Sequence, residues 1–240
     1  MQMKKTNILL TLFSIALLAI GLSACAGVTK TETREVSGFD SIDISSFGEV
    51  QIRQGDMESL TIEAPSDYLR YVETIVENKT LTISTRRGFI GAPVRRVFYT
   101  LTVKDLKSLQ LSGAGTIKIL DGFQSQDFSL NLSGAGSIEI DSLTAKSLTV
   151  NFASAGAIVI AGKVDSQSVN LSGVGSYESG DLESKSVNIK LTGAGSATVW
   201  ATETLDVTVS GVGSINYYGS PQLRQSITGL GSVNSKGAHR

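Results

Sequence analysis

Cysteine, histidine and tryptophan occur once each in this 240-residue chain, and proline three times. The single cysteine, Cys25, makes an intrachain disulfide impossible. The single histidine, His239, stands one residue from the end and leaves no basis for a zinc site or a Ser–His pair. Charge is sparse as well. Only 18% of residues are charged, the formal balance is −1 and there is no basic run, which argues against nucleic acid as a partner. Helical hydrophobic periodicity is missing from the whole repeat region. Against these shortages stand 25 glycines, placed too regularly for disorder.

Thirteen of those glycines belong to a five-residue signature that recurs seven times. The copies are Leu111-Ser-Gly-Ala-Gly115, Leu132-Ser-Gly-Ala-Gly136, Phe152-Ala-Ser-Ala-Gly156, Leu171-Ser-Gly-Val-Gly175, Leu191-Thr-Gly-Ala-Gly195, Val209-Ser-Gly-Val-Gly213 and Ile227-Thr-Gly-Leu-Gly231. Their spacings are 21, 20, 19, 20, 18 and 18 residues. A period near twenty sustained this long marks a solenoid, in which each unit buries its apolar face only against its neighbours. Within one unit Phe128, Leu130 and Leu132 alternate with polar residues, and so do Ile138 and Ile140, as half-buried strands do. Aligning the units gives an aliphatic column through Leu109, Leu130, Val150, Val169, Ile189 and Val207. Asn131, Asn151 and Asn170 form an outward column whose amides can pair along the axis. Twenty residues leave no room for crossover helices. The expectation is an all-β, parallel β-helix-like solenoid of about seven short coils over residues 106–234, with a polar tail at 235–240.

Glycine at the corners answers either a φ that a Cβ disfavours or a close approach of the neighbouring coil. The residue between the glycines (Ala114, Ala135, Ala155, Val174, Ala194, Val212, Leu230) is mostly small, as a narrow inward corner would require. Ser154 replaces one first glycine, so serine is expected to be mild there, whereas valine in place of Gly136 is expected to be severe. Residues 36–105 lack the signature and read as an N-terminal β region covering the first coil, with strands near 42–44, 50–53, 60–63, 80–84 and 97–103 and a short helix or turn at 66–71. Residues 86–96 form an arginine-bearing loop, read as a solvated hairpin tip or a patch for anionic lipid or polysaccharide.

Residues 1–24 have the build of a signal peptide, with Lys4 and Lys5 before an apolar stretch over residues 8–22. Leu22-Ser-Ala-Cys25 resembles the lipobox of bacterial lipoproteins, which implies cleavage before Cys25 and its acylation. Two or three acyl chains anchor a protein stably to a membrane. Removing the leader leaves 19 basic and 22 acidic residues, a mild net of −3. No aspartate follows Cys25, which favours the outer membrane in a double-membrane bacterium and leaves the leaflet faced open. Residues 25–35 read as a polar tether.

Phe39-Asp-Ser-Ile-Asp-Ile44, Gly48-Glu-Val-Gln-Ile-Arg-Gln-Gly55 and the Gly-Ala-Gly array resemble the bacterial family named for a putative auto-transporter adhesin head GIN domain, over roughly residues 38–220. That resemblance implies a β-helix-like fold and a cell-envelope address, and supplies no catalytic residues or cofactor.

A dinucleotide fingerprint fails because no third glycine or helix follows the Gly-x-Gly. A calcium nonapeptide repeat fails because no aspartate keeps register. Asp121 and Asp181 share a column but sit about 14 Å apart, beyond glycosidase separations. Asp141 and Glu139 share a strand face, and Glu139 aligns with Glu178, with nothing further clustered. Trp200 and Tyr218 fall at one position of successive coils, either stacking outward on sugar rings or packing under the C-terminal segment. The reading reached is a lipid-anchored, non-catalytic, adhesin-like envelope module whose partner is glycan, protein or another copy. The alternatives are a polysaccharide lyase or hydrolase of β-helix type, or an envelope-stress or signalling accessory. Rows of outward Ser and Thr lack the Thr-x-Thr order of an ice-binding face.

Overall fold

The computed structural model describes residues 28–86 and 96–239. The expected signal peptide, Cys25 and most of the arginine-bearing segment (87–95) lie outside the described residues.

From residue 108 onward the chain winds as one parallel solenoid. Its strands are β8 (Ser108–Leu111), β9 (Ala114–Ile119), β10 (Phe123–Gln124), β11 (Asp127–Leu132), β12 (Ala135–Phe152), β13 (Ala155–Leu171), β14 (Val174–Leu191), β15 (Ala194–Val209), β16 (Val212–Tyr218), β17 (Gln222–Ile227) and β18 (Leu230–Ser235). Each lies parallel on the strand one lap earlier, with Ile117, Ile138, Ile158, Tyr177, Ala197, Ile215 and Val233 in a single register. The seven signatures therefore bound six turns of the all-β solenoid expected from their spacing. The aliphatic column from Leu109 to Val207 is buried throughout. Each such side chain contributes about 1.5–3 kcal/mol on leaving water, and no coil can bury it alone.

The corners show which demand glycine meets. A Cβ on Gly134 would lie 1.8 Å from the Gly113 carbonyl oxygen, and one on Gly136 1.9 Å from that of Gly115. Backbone touches backbone there, so room along the axis dictates the residue, and at the second glycine a positive φ adds to that demand in Gly136 (+159°) and Gly213 (+150°). The close approach is built on hydrogen bonds. Ser133 and Gly134 both donate to the Leu111 carbonyl, at 3.0 and 3.1 Å, and Ala135 donates to that of Gly113 at 3.0 Å. Because both glycines point along the axis, the residue between them faces out, not in. Val174 is 62% exposed and Leu230 80%. The narrow inward corner expected from those small residues is thus an outward ridge.

The N-terminal region is coil and cap together. β2 (Ser41–Ser45) and β3 (Phe47–Gln54) lie parallel on β8 and β9, aligning Ile44 with Leu111 and Gly48 with Gly115. Ile44-Ser-Ser-Phe-Gly48 is a further corner, so coil winding crosses the boundary drawn at residues 105 and 106. β6 (Thr80–Thr85) and β7 (Phe98–Val103) lie parallel on β2 and β3 as the outermost coil. Coil order in space is therefore not chain order. The end is closed by antiparallel strands: β5 (Val72–Glu77) on β6, β4 (Ser59–Pro65) on β7, and β1 (Thr29–Arg34) on β4. The expected tether thus folds from Thr29. Its polar side chains are mostly exposed and it is held through its backbone, so hydropathy did not reveal it. The short helix α1 (Ser66–Leu69) buries Tyr68 beneath the cap. There the Ser46 hydroxyl meets Tyr99 Oη and Thr85 Oγ1 at 2.9 Å and Tyr68 Oη at 3.1 Å. Burial holds the Tyr99 phenol well above its ordinary pKa.

Candidate functional surface

The outer faces carry side chains in rows, because register repeats each position every lap. The asparagine column closes between Asn151 Nδ2 and Asn131 Oδ1 at 2.9 Å, and a second pair joins Asn234 to Asn216 at 3.4 Å. Charges pair across neighbouring coils: Lys118 with Glu139 at 2.9 Å, Lys163 with Glu183 at 2.8 Å, and Lys185 with Asp165 at 2.7 Å. The hydrogen bond from Lys185 holds the Asp165 carboxyl below the usual range.

The carboxylates weighed from sequence do not converge. Asp121 pairs with Arg53 at 3.0 Å, Glu139 with Lys118 and Asp181 with His239 at 2.9 Å. Asp121 and Glu139 each face a cation and Asp181 an imidazole, none of them a second acid, which is the arrangement of a solvated surface.

Trp200 and Tyr218 are register partners on β15 and β16. Their surroundings include a residue that the aligned columns did not bring to them. The His239 ring stacks on Trp200 at 4.0 Å and 4°, and meets the Tyr218 edge at 5.3 Å and 80°. The tail reaches this place by continuing the ladder, since Lys236 donates to the Tyr217 carbonyl and Gly219 donates to that of Gly237. The polar tail is thus docked, and the aromatic pair has become a three-ring cluster bordered by Asp181.

Two further surfaces stand at opposite ends. Beside β1 and α1 a concavity of about 580 Å³ is lined by Lys30, Arg34, Arg70 and Arg86 together with Glu32 and Glu73. At the other end, among the described residues, β17 pairs only with β15, and β18 only with β16. Leu223 and Ile227 sit at interior positions, aligned with buried Leu205 and Val209, yet are 36% and 39% exposed. Among the described residues the solenoid is capped at one end and bare at the other.

A stack of in-register coils with rows of small polar residues outside presents a rigid, repeated surface. The chain belongs to the family described as putative auto-transporter adhesin, head GIN domain, which matches residues 38–221. Among solved structures it is similar to a putative adhesin from Bacteroides fragilis at 27% identity, with 87% of this chain and 97% of that one covered and a TM-score of 0.85. It is also similar to a putative lipid binding protein from Parabacteroides distasonis at 25% identity, covering 88% and 97%, with a TM-score of 0.69. A putative adhesin from Parabacteroides merdae shares the fold at 20% identity, covering 88% and 97%, with a TM-score of 0.64. No curated protein matches the chain. Family and neighbours make this an adhesin-like binding module of the exported, cell-envelope kind.

Proposed function

We propose that the chain is a non-catalytic binding module held to lipid through Cys25 and displaying its open coil away from the membrane, in double-membrane bacteria the outer one. The observation that carries this reading is where the fold begins. β1 starts at Thr29, four residues after Cys25, and lies on the sealed end of the solenoid. Four residues span at most about 14 Å, so an acyl chain on Cys25 holds the sealed end against the headgroups. The free coil lies about 40 Å further along the axis at strand spacing. The Trp200, Tyr218 and His239 rings on the long face are the proposed glycan contact, because flat rings offer the apolar surface on which sugars stack.

The test is fractionation with protease treatment of intact cells. The native chain is expected in the membrane fraction, and Cys25→Ser in the soluble fraction. A Cys25→Ser chain that stays with the membrane would overturn anchoring by this residue.

A further inference from the structure

We propose that the last coil is a self-complementary interface by which two copies join end to end about a two-fold axis through Gly229.

The argument starts from backbone groups that earlier coils satisfy and the last one does not. In each signature the carbonyl of the first residue accepts an N–H from the following coil: Ser133 to Leu111, Ala153 to Leu132, Ser172 to Phe152, Thr192 to Leu171, Ser210 to Leu191 and Thr228 to Val209. Ile227 holds that place in the seventh signature, and no described coil follows it. In the closing lap Thr228 donates back to Val209, Leu230 to Gly211 and Lys236 to Tyr217. Alternate residues of a strand point their hydrogen-bonding groups to opposite sides. The even-numbered residues of β17 and β18 therefore face the preceding lap. Leu223, Gln225 and Ile227 on β17, and Gly231, Val233 and Ser235 on β18, face outward along the axis.

Those six residues are symmetric about Gly229: Ile227 with Gly231, Gln225 with Val233, Leu223 with Ser235. β17 runs toward the corner and β18 away from it. A two-fold axis through Gly229, across the solenoid, lays β17 of one copy antiparallel on β18 of the other, and the reverse. Each free residue then meets another free residue directly, in the pairing where two residues exchange both bonds. The side chains agree with this register. Leu223, Ile227 and Val233 of each copy then lie over Ser235, Gly231 and Gln225 of the other and keep their apolar side chains on the inner face, and the one charge on either strand, Arg224, falls opposite Asn234. A strand donated by another protein would cover one of the two edges, whereas a second copy covers both. A contact about a two-fold axis uses the same surface on both copies, so it closes as a dimer rather than growing into a fibre.

One consequence rests on anchoring through Cys25: the acylated ends lie at opposite extremes of the pair, so that the pair joins two lipid surfaces.

Sedimentation of the mature Cys25→Ser chain tests the interface without the anchor, and a dimer is expected. Gln225→Pro deletes an N–H that the chain itself does not use, a position where an edge strand tolerates proline. It is expected to raise the dimer dissociation constant at least tenfold with the circular dichroism spectrum unchanged. In the same background, Ser226→Cys with Ser232→Cys places the thiols on opposed non-hydrogen-bonded residues, about 4.5 Å apart at Cα and within disulfide reach. It is expected to give a covalent dimer on a non-reducing gel, and Ser226→Cys with Asn234→Cys, two residues out of register, is not. A native chain that remains monomeric at about 100 μM, an unaffected Gln225→Pro dimer, or equal crosslinking of the two cysteine pairs would each overturn the proposal. Acylated protein in vesicles tests the consequence separately. Clustering that Gln225→Pro abolishes supports it, and dispersed vesicles carrying dimeric protein refute it.

Discussion

Replacing Gly134 by serine puts the corner geometry to a quantitative test, because the chain already contains the outcome at Ser154. Six of the seven signatures make three corner bonds to the preceding lap, as Thr192, Gly193 and Ala194 do to Leu171 and Gly173. The corner at Ser154 keeps one, from Ala153 to Leu132 at 2.9 Å, and its buried hydroxyl has no partner. The added Cβ has therefore pushed the corner off the lap beneath it. Gly134→Ser starts from a Cβ position 1.8 Å from the Gly113 carbonyl oxygen, where ordinary contact begins at 3.4 Å. Opening the lap by about 1.6 Å breaks the Gly134 and Ala135 bonds, which begin at 3.1 and 3.0 Å. Two backbone bonds at about 0.5–1.5 kcal/mol each give a cost of about 1–3 kcal/mol. For a chain of this size that lowers the melting temperature by about 2–4 °C per kcal/mol, or roughly 2–12 °C. The tolerance expected from the sequence thus gives way to a measurable loss. The reciprocal change, Ser154→Gly, restores two bonds and removes an unpaired hydroxyl against about 0.5–1 kcal/mol of glycine entropy, and is expected to stabilise slightly. Thermal unfolding followed by circular dichroism checks both. Gly134→Ser melting within about 1 °C of the native chain would refute the claim that axial contact sets the residue.

Asp43 heads the asparagine column beside Gln110, and one of its carboxylate oxygens, Oδ1, has no hydrogen-bond partner. Burial raises its pKa, so its favourable contribution is complete at acid pH and is lost as pH rises through the folded value. Asp43→Asn is expected to raise the melting temperature at pH 7, with the gain fading below about pH 4. Tyr99 and Tyr177 are both pushed upward by burial. Stability from them is flat below the unfolded value near pH 10 and declines above it, by up to about 1.4 kcal/mol per pH unit for each phenol. Urea titrations between pH 9 and about 11.5 are expected to show that slope and its reduction in Tyr99→Phe with Tyr177→Phe; an unchanged slope would assign the decline elsewhere. Trp200→Ala is expected to abolish signal on a glycan array, and retention of full signal would remove the aromatic cluster from binding.

The repeat was legible because burial and hydrogen bonding both act on it every lap. An inward position must be aliphatic, and a corner pressed on the backbone below must lack a Cβ, so spacing alone located strands β8 to β18. The first two coils escaped the same reading for physical reasons. Ser46 stands where the first glycine would, and after Ile83 the sequence Ser-Thr-Arg-Arg87 carries no glycine at either corner position. The final glycine of Ile44-Ser-Ser-Phe-Gly48, preceded by an inward aliphatic, was the signal available. β1 carried none, because an edge strand held by backbone pairing makes no demand on side chains.

The same reasoning explains why the outer surface was hard to read. Winding constrains the inward column and the glycines, and leaves the outward rows free to hold any small polar residue. Trp200 and Tyr218 stood out because they break that rule on adjacent laps. The approach of His239 could not be read from the columns, since it depends on a tail that leaves the repeat and reaches the face by pairing with Tyr217 and Gly219. The bare end differs again. Leu223 and Ile227 conform to the interior pattern although no described lap lies above them. A terminal coil that only had to meet water would be expected to substitute those positions. Gln225 and Ser235 depart from their interior columns, yet Leu223, Ile227 and Val233 keep the apolar residues that a further layer would cover.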